Sequence, residues 1–182
     1  MKLKEVLAAA VFTALPGMVM AEDVIRIGLF NKEAPIIAAE GKDFLKLENI
    51  RVEISSVSDS PTLLRNLISG KFQLIFTNAD NVIAWAEGQG EDPQKNDFAI
   101  FLGGAQGVDQ KLIVAAGITD FKDLKGKIFA VDAPTTGYAV LGVYIMKKHG
   151  LEWNRDYTFK AFGNTAARAD ALSRGEAAGA MM

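Results

Sequence analysis

The 182-residue chain has no cysteine. A disulfide framework and a lipid anchor carried on cysteine are therefore excluded, and the fold must rest on its hydrophobic core. Histidine is nearly as scarce: His149 is the only one, placed beside Gly150 where a helix is expected to end, and a cation there suits the helix dipole. Charge of one sign is not in excess either. The net charge is -2, with no clustered Lys and Arg, so the electrostatic footprint of a nucleic-acid binder is missing. No G-x-S-x-G elbow, H-E-x-x-H pair, G-x-G-x-x-G turn or Walker phosphate loop occurs, and no metal-ligating or catalytic set stands out. "DLKGKIF" has a Gly-Lys pair but neither the upstream glycine nor the following hydroxyl of a phosphate loop.

Long apolar runs are confined to the start. "MKLKE" is a basic leader, "VLAAAVFTALPGMVM" is an apolar stretch broken by Pro16 and Gly17, and Val19 and Ala21 put small residues at cleavage positions. This pattern predicts a secretory signal peptide over 1–21, with Glu22 as the new terminus and a periplasmic location. A membrane anchor is the competing reading, but the run is short for a bilayer. No stable membrane insertion is expected after its removal.

A hydrophobic fraction of 49% supports a packed core in what remains. Its repeating unit is a short apolar strand, a polar turn and an amphipathic helix. "VIRIGLF" leads through Asn31 to an Ala-rich segment ending near Gly41. "RVEISSV" leads to "SDSPTLLRNLISG", with Ser60 expected as N-cap, Pro61 in the first turn and Gly70 as the stop. "FQLIFT" leads to "NADNVIAWAEGQG". The polar segment from Glu87 to Asp97 reads as a surface loop. "FAIFLGGAQGVDQKLIVAAG" then predicts two apolar strands around the glycines from Gly103 to Gly107, either an inter-lobe crossing or a hairpin.

The pattern restarts with "FKDLKG" as a short helix, "KIFAVDA" as a strand and "PTTGYAVLGVYIMKKHG" as a helix. "DYTFKAF" is a further strand, and "GNTAARADALSRGEA" a helix closed by Gly175. Alternating strands and helices predict mainly parallel sheets covered by helices. The expected division is a first α/β lobe over 22–104 and a second, incomplete one over 105–182.

Ligands of open α/β sheets sit beyond the carboxyl ends of the strands. The polar turns fall there, Ser58, Asp59, Gly163 and Thr165 among them, and Asn31, Ser60, Thr77, Asn78, Asp80, Asn81, Thr135, Thr136, Gly137 and Asn164 are the candidate contacts. At "PTTGY" the two threonines serve as helix caps in one reading. In the other, their hydroxyls and the N–H groups near Gly137 seat a polar or anionic group. Asp80 and Asn81 either cap their helix or face the ligand. Tyr138 either stacks on ligand or packs on the core, and Arg168 either neutralises an anion or lies on a solvated helix face, the reading preferred for it.

Four stretches in order, "FTNADNVIAWAEGQG", "FKDLKGKIFAVDAPTTGYA", "KKHGLEWNRDYTF" and "GNTAARADALSRGEAAGAM", resemble the periplasmic solute-binding proteins of ABC importers. The resemblance is to the NMT1/THI5-like group, which includes taurine, alkanesulfonate and pyrimidine-precursor binders. It implies a type II periplasmic-binding-protein fold: two α/β lobes, a hinge and a cleft. Ser60, Thr77, Asn78, Asp80 and Asn81 would contact a small polar or anionic solute from one lobe, and Thr135, Thr136, Gly137, Tyr138 and Asn164 from the other. The implied partners are that solute, a permease and its ATPase, with no cofactor. A ligand-sensing module for a membrane receptor is the alternative. A pyrimidine-synthase enzyme is a third reading, disfavoured because such enzymes rely on histidine and cysteine. Family members are longer, and this chain stops at "AAGAMM", where a further strand would begin, so a C-terminal truncation is expected.

Overall fold

The computed structural model describes residues 23–182 apart from 33, 43, 45–48 and 104–109. The expected signal peptide lies outside the described residues, as does most of the glycine-rich interval ending at Gly107. Two sheets organise the rest. In the first, β1 (Asp23–Leu29) lies between β2 (Ile50–Ser56) and β3 (Leu74–Ile75), all parallel, with Ile27 level with Ile54 and Leu74. Helices α1 (Ala34–Gly41), α2 (Ser60–Ile68) and α3 (Ala79–Ala86) alternate with these strands, because parallel neighbours need a crossover. Leu63 and Leu64 of α2 are buried with Phe72 and Trp85 in one cluster; Ile27, Leu29 and Ile36 form another. Gly28 has no side chain because the Phe72 ring and Leu63 occupy the space a Cβ would need.

The second sheet has the order β4, β7, β5, β6. It is built from β4 (Leu112–Val114), β5 (Lys127–Val131), β6 (Tyr157–Ala161) and β7 (Gly179–Met181), with only β4 antiparallel to its neighbour. A 3-10 turn, Phe121–Leu124, precedes β5, closed by a capping box between Asp120 and Asp123. His149 ends α4 (Gly137–Lys148) and stacks on Phe121, ring centroids 3.5 Å apart. Strand β5 is covered on both faces. Phe129 and Val131 face the cluster containing Ala139 and Met146 of α4, and Ala130 faces Ala171 of α5 (Thr165–Ser173). Two-sided burial explains why Phe129, Ala130 and Val131 read as an unbroken apolar run.

Three local expectations are corrected. The cap of α2 is Asp59, whose carboxylate accepts the Thr62 N–H at 2.7 Å; Ser60 is already helical. "FQLIFT" contributes only Leu74–Ile75 to the sheet. Residues Phe98–Leu102 form no strand, and Phe101 and Leu102 are 74% and 73% exposed. Apolar runs of five or six residues fit a strand locally, but only a partner edge makes one.

The turn before β6 supplies a pH dependence. Asp156 accepts hydrogen bonds from Arg155 at 2.6 Å and from the Glu152 N–H at 2.9 Å, with Lys125 3.5 Å away. These donors, Arg155 foremost, hold its carboxyl at about 2, below its ordinary 3.8. A depressed folded-state value stabilises the fold above the ordinary range, and that contribution disappears as pH falls from about 4 through about 2. Urea midpoints should therefore drop more steeply with acid in the native protein than in Asp156→Asn. Parallel curves would show that this turn does not contribute.

Candidate functional site

The turns that follow β2, β5 and β6 converge on a cleft between the two sheets, with a volume of about 460 Å3. The first-sheet side supplies Ser58, Asp59, Thr62, Arg65 and Glu91. Asp132, Pro134, Phe162 and Gly163 come from the other side. This is the carboxyl-end location expected for a ligand in an open α/β sheet.

Several bonds cross the cleft. The Ser60 N–H donates to both oxygens of Asp132 at 3.3 Å, so a carboxylate of one lobe sits at the positive end of a helix in the other. The Asn164 N–H donates to the Ser58 carbonyl at 2.8 Å. Thr135 Oγ1 donates to Glu91 at 3.0 Å. Close approach makes the glycines necessary: a Cβ on Gly163, which has a φ of +84°, would lie 2.6 Å from the Ser58 carbonyl oxygen, and one on Gly137 would strike the Asp80 carboxylate.

Asp132 is 4% exposed. Burial pushes its carboxyl above the usual carboxylate range, against the Ser60 hydrogen bonds and the charge of Arg168. For Asp59, burial opposes ionisation, but hydrogen bonds from Ser58 and Thr62 prevail and hold it below that range. Arg65 is turned to Asp92, at 2.9 and 3.1 Å, and its guanidinium lies 5.9 Å from the Trp85 ring.

Ser58, Asp59 and Gly163, from the same polar turns, line this cavity, and none of the candidate contacts does. Asn81 is buried and donates to Thr77 Oγ1 at 3.1 Å and to Ser60 Oγ at 3.3 Å, tying the starts of α2 and α3 together. Asn78 is the N-cap position of α3 but makes no side-chain cap bond. Thr136 is likewise the N-cap residue of α4 without capping through its hydroxyl, which donates instead to the Ala133 carbonyl at 2.8 Å. Asn164 caps α5 by accepting the Ala167 N–H at 3.0 Å. Tyr138 packs against the core cluster under the guanidinium of Arg168, 4.9 Å from its ring. Asn31 is exposed at the end of β1.

Arg168 corrects an expectation. It is 1% exposed rather than solvated, donating to the Met181 carbonyl at 3.0 Å, to Thr165 Oγ1 at 3.1 Å and to the Gly163 carbonyl. Asp132 was missed by the sequence reasoning, and Arg168 was named there but placed on the surface. The only local signal for Asp132 is an acid directly after an apolar strand, and nothing local marks Arg168 as buried.

Two helix-covered sheets, facing each other through the turns at their strand ends, define a two-lobed substrate-binding architecture. The sequence profile described as "ABC transporter, phosphonate, periplasmic substrate-binding protein" matches residues 45–182, and the chain belongs to this family. The motif resemblance pointed to the NMT1/THI5-like branch of the same broad class, the substrate-binding proteins of ABC transporters. No curated protein matches the chain.

Solved structures with the same fold include a protein of Bordetella bronchiseptica RB50, 22% identical, covering 88% of this chain and 51% of that one, with a TM-score of 0.66. The alkanesulfonate-binding protein SsuA of Xanthomonas axonopodis pv. citri, bound to MOPS, is 19% identical over 86% of this chain and 53% of its own, with a TM-score of 0.58. The periplasmic aliphatic sulphonate binding protein SsuA of Escherichia coli is 18% identical over 88% and 54%, with a TM-score of 0.55. The chain thus spans about half the length of these structures. Among the described residues no helix is long and apolar enough to cross a membrane.

Proposed function

We propose that the protein captures a small organic oxyanion, a phosphonate or sulfonate, between its lobes and presents it to the permease of an ABC importer, without catalysing a reaction. The cleft carries this reading: a cavity of about 460 Å3 at the carboxyl ends of strands from both sheets. The family description names phosphonate, and similar folds have been solved with MOPS and with glutathione bound. In this reading the N–H groups at the start of α4, around Gly137 and Tyr138, receive the oxyanion, with the Thr135 and Thr136 hydroxyls beside them. Asn31, Ser60, Thr77, Asn78, Asp80, Asn81 and Asn164 are the further contacts of this reading, although none of them lines the cavity in the structure. The Asp80 carboxylate already lies beside Gly137, so an anionic group at that helix start displaces it.

Thermal shift against methylphosphonate, taurine, MOPS, glutathione, nitrate and a pyrimidine tests the reading. A ligand at a hundredfold excess over its Kd adds about 2.7 kcal/mol of apparent stability. A phosphonate or sulfonate is expected to raise the midpoint in proportion to the logarithm of its concentration. A cooperative transition unmoved by every one of them overturns the assignment.

A further inference from the structure

The cleft cavity carries an uneven charge. Among its described lining residues Asp59, Glu91 and Asp132 bring carboxylates from the turn after β2, the loop after α3 and the end of β5, while Arg65 of α2 is the only cation. Each carboxylate already accepts from the protein: Asp59 from the Thr62 N–H at 2.7 Å, Glu91 from the Thr135 hydroxyl at 3.0 Å, and Asp132 from the Ser60 N–H at 3.3 Å. Such bonds satisfy the oxygens without removing the charges. Arg65 is placed differently. Its Nε and Nη2 donate to Asp92 at 2.9 and 3.1 Å, and its guanidinium lies 5.9 Å from the Trp85 ring, whereas Asp92 itself does not line the cavity. A guanidinium has five N–H donors, so Asp92 fixes the plane of the group through one edge while the end-on edge, Nη1 with Nη2, has the geometry to take two oxygens of an oxyanion. Glu91 lines the cavity with Arg65 and also bonds Thr135 beside the start of α4. An oxyanion seated at that helix start therefore has both groups as neighbours.

We infer that the site selects its solute by charge, taking an oxyanion with one negative charge and rejecting one with two, and that Arg65 is the counter-charge. The inference rests on the reading of the cleft as the solute site and narrows what that site accepts. One guanidinium offsets one charge and a helix start adds about half of another, while three carboxylates around the same cavity oppose any more. Like charges brought together where water is displaced repel far more strongly than in bulk solvent. Two further cations stand close: Arg168 donates to the Gly163 carbonyl and Lys160 lies 4.8 Å from the Phe162 ring, but neither lines the cavity. The two solute classes differ in this property. A sulfonate keeps a single charge at every working pH, whereas a phosphonate gains a second in the neutral range, as a phosphate ester does at about 6.

Calorimetric titration with methanesulfonate and methylphosphonate between about pH 5 and about pH 9 tests the inference on the unsubstituted protein. The ratio of the two affinities isolates the ionisation of the ligand, because the protein's own groups titrate under both. Methylphosphonate is expected to lose about tenfold relative to methanesulfonate for each pH unit above its second ionisation, as its singly charged form disappears. Arg65→Gln should weaken both ligands at least about tenfold at every pH, the loss of a hydrogen bond to a charged group. Glu91→Gln, which keeps an acceptor for Thr135, should recover methylphosphonate relative to methanesulfonate by about tenfold at the alkaline end. Both residues are exposed, so neither change opens the core, and circular dichroism checks that the variants fold. A methylphosphonate affinity that follows methanesulfonate across the range, or rises with the second charge, overturns charge selection and leaves solute capture standing. Unchanged affinities in Arg65→Gln overturn its role as counter-charge, and an unchanged ratio in Glu91→Gln overturns the part given to the carboxylates. Binding of neither probe, with no compound of the thermal-shift series moving the midpoint, overturns the capture reading and this inference with it.

Discussion

Replacing Gly163 by alanine is expected to hold the lobes apart and weaken solute capture at least about a hundredfold. Two penalties act at this residue. Its φ of +84° lies in the left-handed region, where a side chain costs roughly 1–3 kcal/mol. The added Cβ would also lie 2.6 Å from the Ser58 carbonyl oxygen. The oxygen is backbone and a Cβ is fixed by the backbone that carries it, so no rotamer relieves the contact and the lobes must separate. Gly175 provides the matched control, since its φ is +71° but nothing lies within 4 Å of a Cβ there. Both variants should lose similar stability to strain, while only Gly163→Ala should lose affinity. Calorimetric titration with the phosphonate or sulfonate that stabilises the parent protein gives the answer. Equal affinity in the two variants would show that closure does not pass through Gly163.

Phe129→Ala is expected to be the most destabilising single truncation in the second lobe, by roughly 3–5 kcal/mol. The ring is 1% exposed at the centre of β5 and meets Tyr157 and Phe159 at centroid distances of 6.2 and 5.8 Å. Two glycines are shaped to it. A Cβ on Gly142 of α4 would lie 3.2 Å from the ring, and one on Gly179 of β7 2.9 Å away. A helix and a strand have therefore closed down on Phe129 from two sides, and neither has a side chain to swing into the vacated space. Urea unfolding should show the loss as a lower midpoint at unchanged slope. A loss under about 1 kcal/mol would mean that the lobe repacks, in which case the glycines do not hold the helix and strand where they lie.

The alternation of elements was legible because its causes are local. Two-residue and 3.6-residue periodicities identify β1, β2, α2 and α4 from side-chain order alone. The positive φ angles of Gly70, Gly150 and Gly175 mark helix ends where the sequence has glycine after an apolar face. The same local logic failed for Phe98–Leu102, an apolar run without a partner edge, and shortened "FQLIFT" to Leu74–Ile75. It misplaced the α2 cap by one residue, because Asp59 and Ser60 are both good caps and only backbone geometry separates them.

By itself the sequence determined that this is an α/β chain with polar turns at its strand ends, since hydropathy periodicity and turn chemistry act between residues a few positions apart. Which turn groups would face one another was decided only by tertiary structure. Asp132 meets Ser60 across 72 positions of sequence, and Thr135 meets Glu91 across 44. Arg168 looked like a surface cation because its neighbours Ala167, Ala169 and Asp170 give it no apolar stripe to oppose. It is buried because the Gly163 and Met181 carbonyls and the Thr165 hydroxyl offer three acceptors at one point. Burial of a charge follows from the partners the fold assembles around it, and no local pattern encodes those partners.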